Sequence, residues 1–147
     1  MPITEGAAMT IITNNEAETV CEGEKLGRML APGAIIALYG GLGAGKTAFT
    51  RGIAKYFVHD AIVTSPTFAL VNEYLISKTS KLFHFDMYRI TTEQDLLSVG
   101  FFDFISEKNI IIIEWYENIG KFFDEATVKI TIEKTKDDNS RKIICCV

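Results

Sequence analysis

Residues 40 to 47 read Gly-Gly-Leu-Gly-Ala-Gly-Lys-Thr, and no other stretch of the chain narrows its fold as far. The run satisfies G-x-x-x-x-G-K-[ST] in full. Glycines at 40, 43 and 45 let the backbone curl closely enough to aim consecutive N–H groups at one point, a geometry that suits a polyphosphate. A helix opening at Lys46 adds its positive end to the same point. Gly40, Gly43, Ala44, Gly45, Lys46, Thr47 and Ala48 are therefore read as the ATP cradle. Lys46 carries a point charge to the β- and γ-phosphates, and the Thr47 hydroxyl is placed to ligate Mg²⁺. A chance match in a chain of this size has a probability of about one in two hundred at ordinary residue frequencies. A strand before the motif and a helix after it lower that further.

The flanking pattern supplies that context. Residues 34–39 form a short apolar run bounded by Pro32-Gly33, which reads as a buried strand. Residues 46–58 read as a helix with Phe49, Ile53 and Phe57 on one face. Upstream, 9–13 suits a short strand, and a helix runs from Asn15 to about residue 30, with Glu18 at capping-box spacing. Downstream, 68–76 and 81–85 read as two strands around a polar turn, and 92–99 as a short helix closed by Gly100. Ile110 to Ile113 are four β-branched residues in a row, a strand buried on both faces. Val128, Ile130 and Ile132 alternate with polar residues, and 141–147 return after a turn as an antiparallel hairpin at a sheet edge.

Strands alternating with helices around a glycine-rich turn predict an α/β fold. The expected architecture is a P-loop NTPase-type three-layer sandwich with a mixed, mainly parallel central sheet and antiparallel edge hairpins. The 147 residues suit a single domain, 1–147, with 1–8 a disordered leader.

Charge and composition exclude other classes. The net charge is −4 and the pI about 5.2, with 15 Lys and Arg scattered along the chain, so a strong direct grip on nucleic acid is not expected. Cys21, Cys145 and Cys146 suit neither a disulfide framework nor a zinc site, which fits a reducing compartment. Adjacent Cys145 and Cys146 should face opposite sides of a strand. No apolar stretch reaches the roughly 18 residues of a membrane span, and no signal peptide opens the chain. A soluble, cytoplasmic protein with no membrane partner is expected.

The second half of a P-loop site is an acid at the end of a neighbouring buried strand. Glu114, closing the four isoleucines, has that form and is favoured as a Mg²⁺ ligand over an ordinary loop glutamate. In His84-Phe85-Asp86-Met87-Tyr88-Arg89, Asp86 ends a strand and is favoured as functional, open between orienting the attacking water and holding Mg²⁺ through water. Arg89 is left open between Asp86, a phosphate and a partner, and His84 reads as a structural histidine. Ser65-Pro66-Thr67 stands where P-loop proteins place a switch segment. A hydroxyl sensing the γ-phosphate and an ordinary Ser-Pro turn are equally open there.

Together these blocks carry a resemblance. Leu42 to Thr47, Ser65-Pro66-Thr67-Phe68, Asn72-Glu73-Tyr74, His84 to Arg89 and Glu114-Trp115, in this order, resemble the bacterial TsaE (YjeE) ATPases of tRNA threonylcarbamoyladenosine synthesis, over residues 16–133. The resemblance implies a small P-loop ATPase, weakly active alone. It would join the threonylcarbamoyl transferase and that enzyme's non-catalytic paralogue, reaching tRNA indirectly through the complex. It also implies Mg²⁺ held by Thr47 and Glu114, phosphates held by Lys46, catalytic help from Asp86, Trp115 beside the metal, and residues 16–19 near the adenine. The chain departs from the family pattern at Gly41, where an aspartate is usual, and at Ala48, where a hydroxyl is usual. Both changes bear on rate more than on binding.

Three rivals set the contrast. A small-molecule kinase needs a lid of paired arginines, whereas Arg28, Arg51, Arg89 and Arg141 form no cluster in sequence. A GTPase switch is mimicked by Thr135-Lys136-Asp137-Asp138, but the chain has no D-x-x-G, and the stretch reads as a hairpin turn. A nucleotide-dependent scaffold with little hydrolysis remains compatible with Gly41 and Ala48.

Overall fold

The computed structural model describes residues 8–67 and 69–146. Its centre is the isoleucine run. Ile110 to Glu114 form strand β5, in which all five residues are buried. A strand apolar on both faces needs a cover on each side and partners on each edge. Both edges are met by parallel neighbours, β2 (Ile35–Tyr39) and β4 (Lys81–Asp86). On the far side of β2 lies β6 (Val128–Lys134), also parallel. β3 (Val71–Leu75) adds antiparallel to β4, β7 (Arg141–Cys146) to β6, and β1 (Ala8–Thr13) to β7. The seven-stranded order is β1-β7-β6-β2-β5-β4-β3, parallel in the middle and antiparallel at both ends.

Three details differ from the sequence reading. The expected leader lies outside the described residues except for Ala8, which opens β1. The C-terminal hairpin is not the sheet edge, because β1 pairs along the whole of β7 and takes that position. The strand expected over 68–76 shortens to Val71–Leu75, and Phe68 lies outside the described residues. Leu70 takes a left-handed φ of 67° and donates its N–H to Pro66 O, so the chain curls there instead of extending.

One face of the sheet is covered by two long helices, α1 (Glu16–Met29) and α2 (Lys46–Phe57). Phe49 and Ile53 of α2 pack with Ile36, Leu38, Ile110 and Ile112. The other face is covered by shorter pieces: α3 (Glu93–Ser98) and 3₁₀ turns at Phe101–Phe104 and Tyr116–Asn118. There Leu96, Phe101, Tyr116, Ile119 and Phe123 pack on Ile35, Ala37, Ile111 and Ile113. The third layer is thus mostly aromatic side chains on irregular backbone. As expected, Cys145 is buried while Cys146, next to it on β7, is only half-buried.

Helix ends obey local chemistry. The Asn15 side chain accepts from Glu18 N–H, but Glu18 reaches back to Asn14 N–H, one residue beyond a reciprocal box. α3 has the full box, with Thr92 accepting from Asp95 N–H and Asp95 accepting from Thr92 N–H.

α1 and α2 cross unusually closely. A Cβ built on Gly52 would lie 1.9 Å from Val20 O, and one on Gly23 would lie 2.2 Å from Phe49 O. Glycine inside a helix costs about 1 kcal/mol against alanine. Here that cost allows backbone-to-backbone packing, which seats the N-terminus of α1 beside the phosphate loop. Gly52→Ala should force the helices apart and destabilise the protein by about 3 kcal/mol, the upper end of ordinary overpacking. A urea unfolding titration of the two proteins measures it.

Candidate functional site

The parallel register assembles the site. β2, β5 and β4 end together, with Glu114 opposite Leu38 on one side and Asp86 on the other. All three strands point their C-terminal ends at the same edge, the usual ligand edge of such sheets. The chain leaves β2 into the glycine curl, where Gly40, Gly43 and Gly45 all take positive φ, and enters α2 at Lys46. A cavity of about 650 Å³ opens at this edge, within the size range of small-ligand sites.

Gly43, Ala44, Gly45, Lys46, Thr47 and Ala48 line the cavity. Gly40 lies behind it. Its carbonyl accepts from Lys46 Nζ at 2.5 Å, and its N–H points to a Glu117 carboxylate oxygen at 3.3 Å. Lys46 also donates to Gly41 O at 2.8 Å, and its ammonium lies 4.1 Å from the centre of the Trp115 ring. Burial pushes the Lys46 pKa down, while Glu114, Glu117 and Asp86 oppose that shift. A cation held in place yet partly desolvated is well suited to interact strongly with an anion entering the cavity.

Across the loop, Thr47 Oγ1 donates to the Glu114 carboxylate, 3.3 and 3.4 Å from its two oxygens. Glu114 is 3 % exposed, and its Oε2 is also bonded by His84 Nε2. The sequence-predicted pair Thr47 and Glu114 is therefore brought together. Hydroxyl and carboxylate oxygens, with room in the cavity for water, are the hard donors that Mg²⁺ takes. The donor set fits that ion.

Asp86 forms a second polar group on the same wall. Its Oδ1 accepts from Tyr88 N–H at 2.9 Å, and its Oδ2 lies 3.5 Å from Ser65 Oγ and 3.4 Å from Thr67 Oγ1. Ser65 and Thr67 share a 2.8 Å hydrogen bond. The Ser-Pro-Thr segment thus faces the cavity with its hydroxyls gathered on Asp86. Trp115 also lines the cavity, its ring tilted against that of Tyr88 with centroids 5.0 Å apart, and takes a left-handed φ of 59°. Such a conformation is costly for an aromatic residue and is typical of functional sites. Arg89 is exposed and lies outside the cavity lining.

Sequence reasoning missed several residues here. Arg141, at the start of β7, donates to Ala44 O at 2.9 Å and Gly43 O at 3.2 Å, and to Asp138 O at 2.6 Å and Ser140 O at 2.8 Å. One guanidinium thus ties the phosphate loop to the β6–β7 turn. Its hold on the Gly43 and Ala44 carbonyls stiffens the curl. No local pattern signals this, because the contact spans almost a hundred residues. The 135–138 stretch is a hairpin turn as expected, yet its last residue, Asp138, and the following Asn139 reach the cavity wall. At the other end Arg51, not named as a site residue from the sequence, pairs with Glu16 at 2.7 Å, and Glu16 and Thr19, in the segment that the resemblance implied near the adenine, line the same wall. His84, read as structural, touches the predicted metal ligand.

A buried strand, a glycine curl and a helix, with an acid on the adjacent parallel strand, define an α/β protein of the P-loop NTPase type. Comparison with known proteins narrows the class. The family described as "Threonylcarbamoyl adenosine biosynthesis protein TsaE" matches residues 13–143. The protein of that function from Rickettsia felis is 36% identical over 132 residues, which is 89% of this chain and 75% of that one. Its counterpart from Treponema pallidum is 32% identical over 131 residues, 89% of this chain and 96% of that one. The crystal structure of Bacillus subtilis YdiB superposes with a TM-score of 0.74 at 27% identity, covering 97% of this chain and 86% of that one. The chain belongs to the TsaE family. Among the described residues no helix is long and apolar enough to cross a membrane.

Arg141→Ala should loosen the loop and weaken ATP binding roughly tenfold, about 1.4 kcal/mol. Arg141→Lys should not restore it, because an ammonium cannot span four carbonyls with a planar fork. Quenching of Trp115, the single tryptophan, reports the titration.

Proposed function

We propose that this chain is a Mg²⁺-dependent ATPase acting in the biosynthesis of threonylcarbamoyladenosine in tRNA, the process for which its relatives are named. The observation that carries the reading is the convergence of Thr47 and Glu114 at the mouth of the phosphate loop, with Asp86 on the same wall. Bound there, Mg²⁺ would neutralise charge on the β- and γ-phosphates.

The residues divide the work. Amides from Gly43 to Ala48 and the N-terminus of α2 receive the phosphates. Lys46 rests on the carbonyls of Gly40 and Gly41, so its ammonium is already oriented toward them. Asp86, its carboxylate oriented by Tyr88 N–H, would orient the attacking water. Ser65 and Thr67 sit on the same carboxylate and would move when that phosphate leaves, so the segment works as the switch. Gly41 has open space around it, so the missing aspartate removes a charge without distorting the turn. Ala48 keeps its N–H at the cavity. Slow turnover with intact binding is the consequence.

We further propose that the chain acts as one cytoplasmic P-loop unit that joins the threonylcarbamoyl transferase and its non-catalytic paralogue. Exposed Tyr88, Arg89 and the rim around Trp115 are its contact region, and tRNA is met only through the complex. The overall negative charge agrees with an indirect approach to RNA.

Lys46→Ala should abolish ATP affinity, while Glu114→Ala should leave nucleotide binding largely intact and lower Mg²⁺-dependent turnover at least tenfold. Fluorescence titration and phosphate release measure the two effects. Phosphate release should also rise strongly when the transferase complex and tRNA are added. No stimulation, or phosphate transferred to a small-molecule acceptor, refutes the assignment.

A further inference from the structure

We propose that His84 is a positioning residue for Glu114, holding that carboxylate from its buried side so that it stays in place beside Thr47. The proposal rests on the reading of Glu114 as a metal ligand.

β4 alternates strictly. Phe83 and Phe85 join the aromatic layer, whereas Leu82 joins the core beneath α2. His84 and Asp86 share the face of Leu82. One short strand thereby sends Asp86 to the cavity wall and His84 to the buried side of Glu114. His84 is 0 % exposed and does not line the cavity, so it cannot touch a nucleotide. Its Nε2 bonds Glu114 Oε2, while its Nδ1 has no hydrogen-bond partner among the described residues.

That half-satisfied ring is the informative observation. A polar atom buried without a partner lowers stability, and an aliphatic side chain of similar volume would avoid the cost. Packing alone therefore gives no reason for a histidine at this place. Its one hydrogen bond does, because the acceptor is the carboxylate that also receives the Thr47 hydroxyl. With Nε2–H donating to Oε2, the carboxyl group cannot rotate freely, and it stays within reach of Thr47 Oγ1, which lies 3.3 and 3.4 Å from its two oxygens. Glu114 has the strand end beneath it and Trp115 after it, and among the described residues His84 is the side chain that fixes it from below. Partners of this kind around metal ligands typically change metal affinity by about 10–100-fold when removed.

The test compares His84→Leu, His84→Gln and Glu114→Gln, using Mn²⁺ as probe and electron paramagnetic resonance to count the free ion in the ADP complex. His84→Leu should weaken Mn²⁺ binding by about 10–100-fold, with ADP affinity in EDTA unchanged. His84→Gln, whose amide N–H reaches the same oxygen, should recover most of it. Wild-type Mn²⁺ affinity in folded His84→Leu, together with its loss in Glu114→Gln, overturns the positioning role and leaves the metal reading intact. Undiminished Mn²⁺ affinity in Glu114→Gln removes the metal reading, and this proposal with it. If His84→Leu does not fold, the wild-type protein decides. The imidazole ¹⁵N resonances of His84, one of only two histidines, should move when Mg²⁺ is added to the ADP complex. Unmoved resonances overturn the proposal.

Discussion

The site depends on the parallel pairing of β2, β5 and β4. Because the three strands run the same way and stop together, the glycine curl, Glu114 and Asp86 all leave the sheet at one edge. A slip of one residue in β5 would turn Glu114 to the aromatic face and bring an isoleucine to Thr47. The four isoleucines guard against that slip only in part, since they are apolar on both faces. The asymmetry comes from the covers. Helices α1 and α2 pack on an aliphatic surface of the sheet, and the opposite side accepts Phe101, Tyr116 and Phe123.

Around this frame the phosphate loop is held from three directions. Lys46 bonds its first carbonyls from within, Glu117 receives the Gly40 amide, and Arg141 grips Gly43 and Ala44 from outside. A loop of small residues has much conformational entropy to lose. Fixing it in advance removes that cost from the moment of binding, which is the general advantage of preorganisation. The same logic applies to the carboxylates. Asp86 has a backbone amide on one oxygen and hydroxyls near the other, and Glu114 has His84 below and Thr47 above.

Much of this was legible in the chain. The phosphate loop, the buried β5 and the acids at 86 and 114 follow from motif spacing and from runs of β-branched residues. Both are local patterns. The Asn15 cap, the short helix before Gly100 and the C-terminal hairpin were legible for the same reason. What escaped was non-local. Nothing near Arg141 announces that it will reach the phosphate loop, and nothing near Gly23 and Gly52 announces a close helix crossing. His84 looked structural because its partner is thirty residues away, on the neighbouring strand. The long strand read over 68–76 failed at Leu70, where the turn from Pro66 overrides a stretch with good β-propensity.

By itself, then, the sequence determined the chemistry available: a glycine curl for polyphosphate, a lysine, a hydroxyl and two acids, each at the end of a recognisable element. Spacing and periodicity suffice for that, because each depends only on neighbours along the chain. The tertiary structure alone decided which of these groups meet, what fixes the Glu114 carboxylate, and what holds the loop in shape. Those outcomes depend on strand register and on packing between segments far apart in the chain, and no local pattern encodes a distance of that kind.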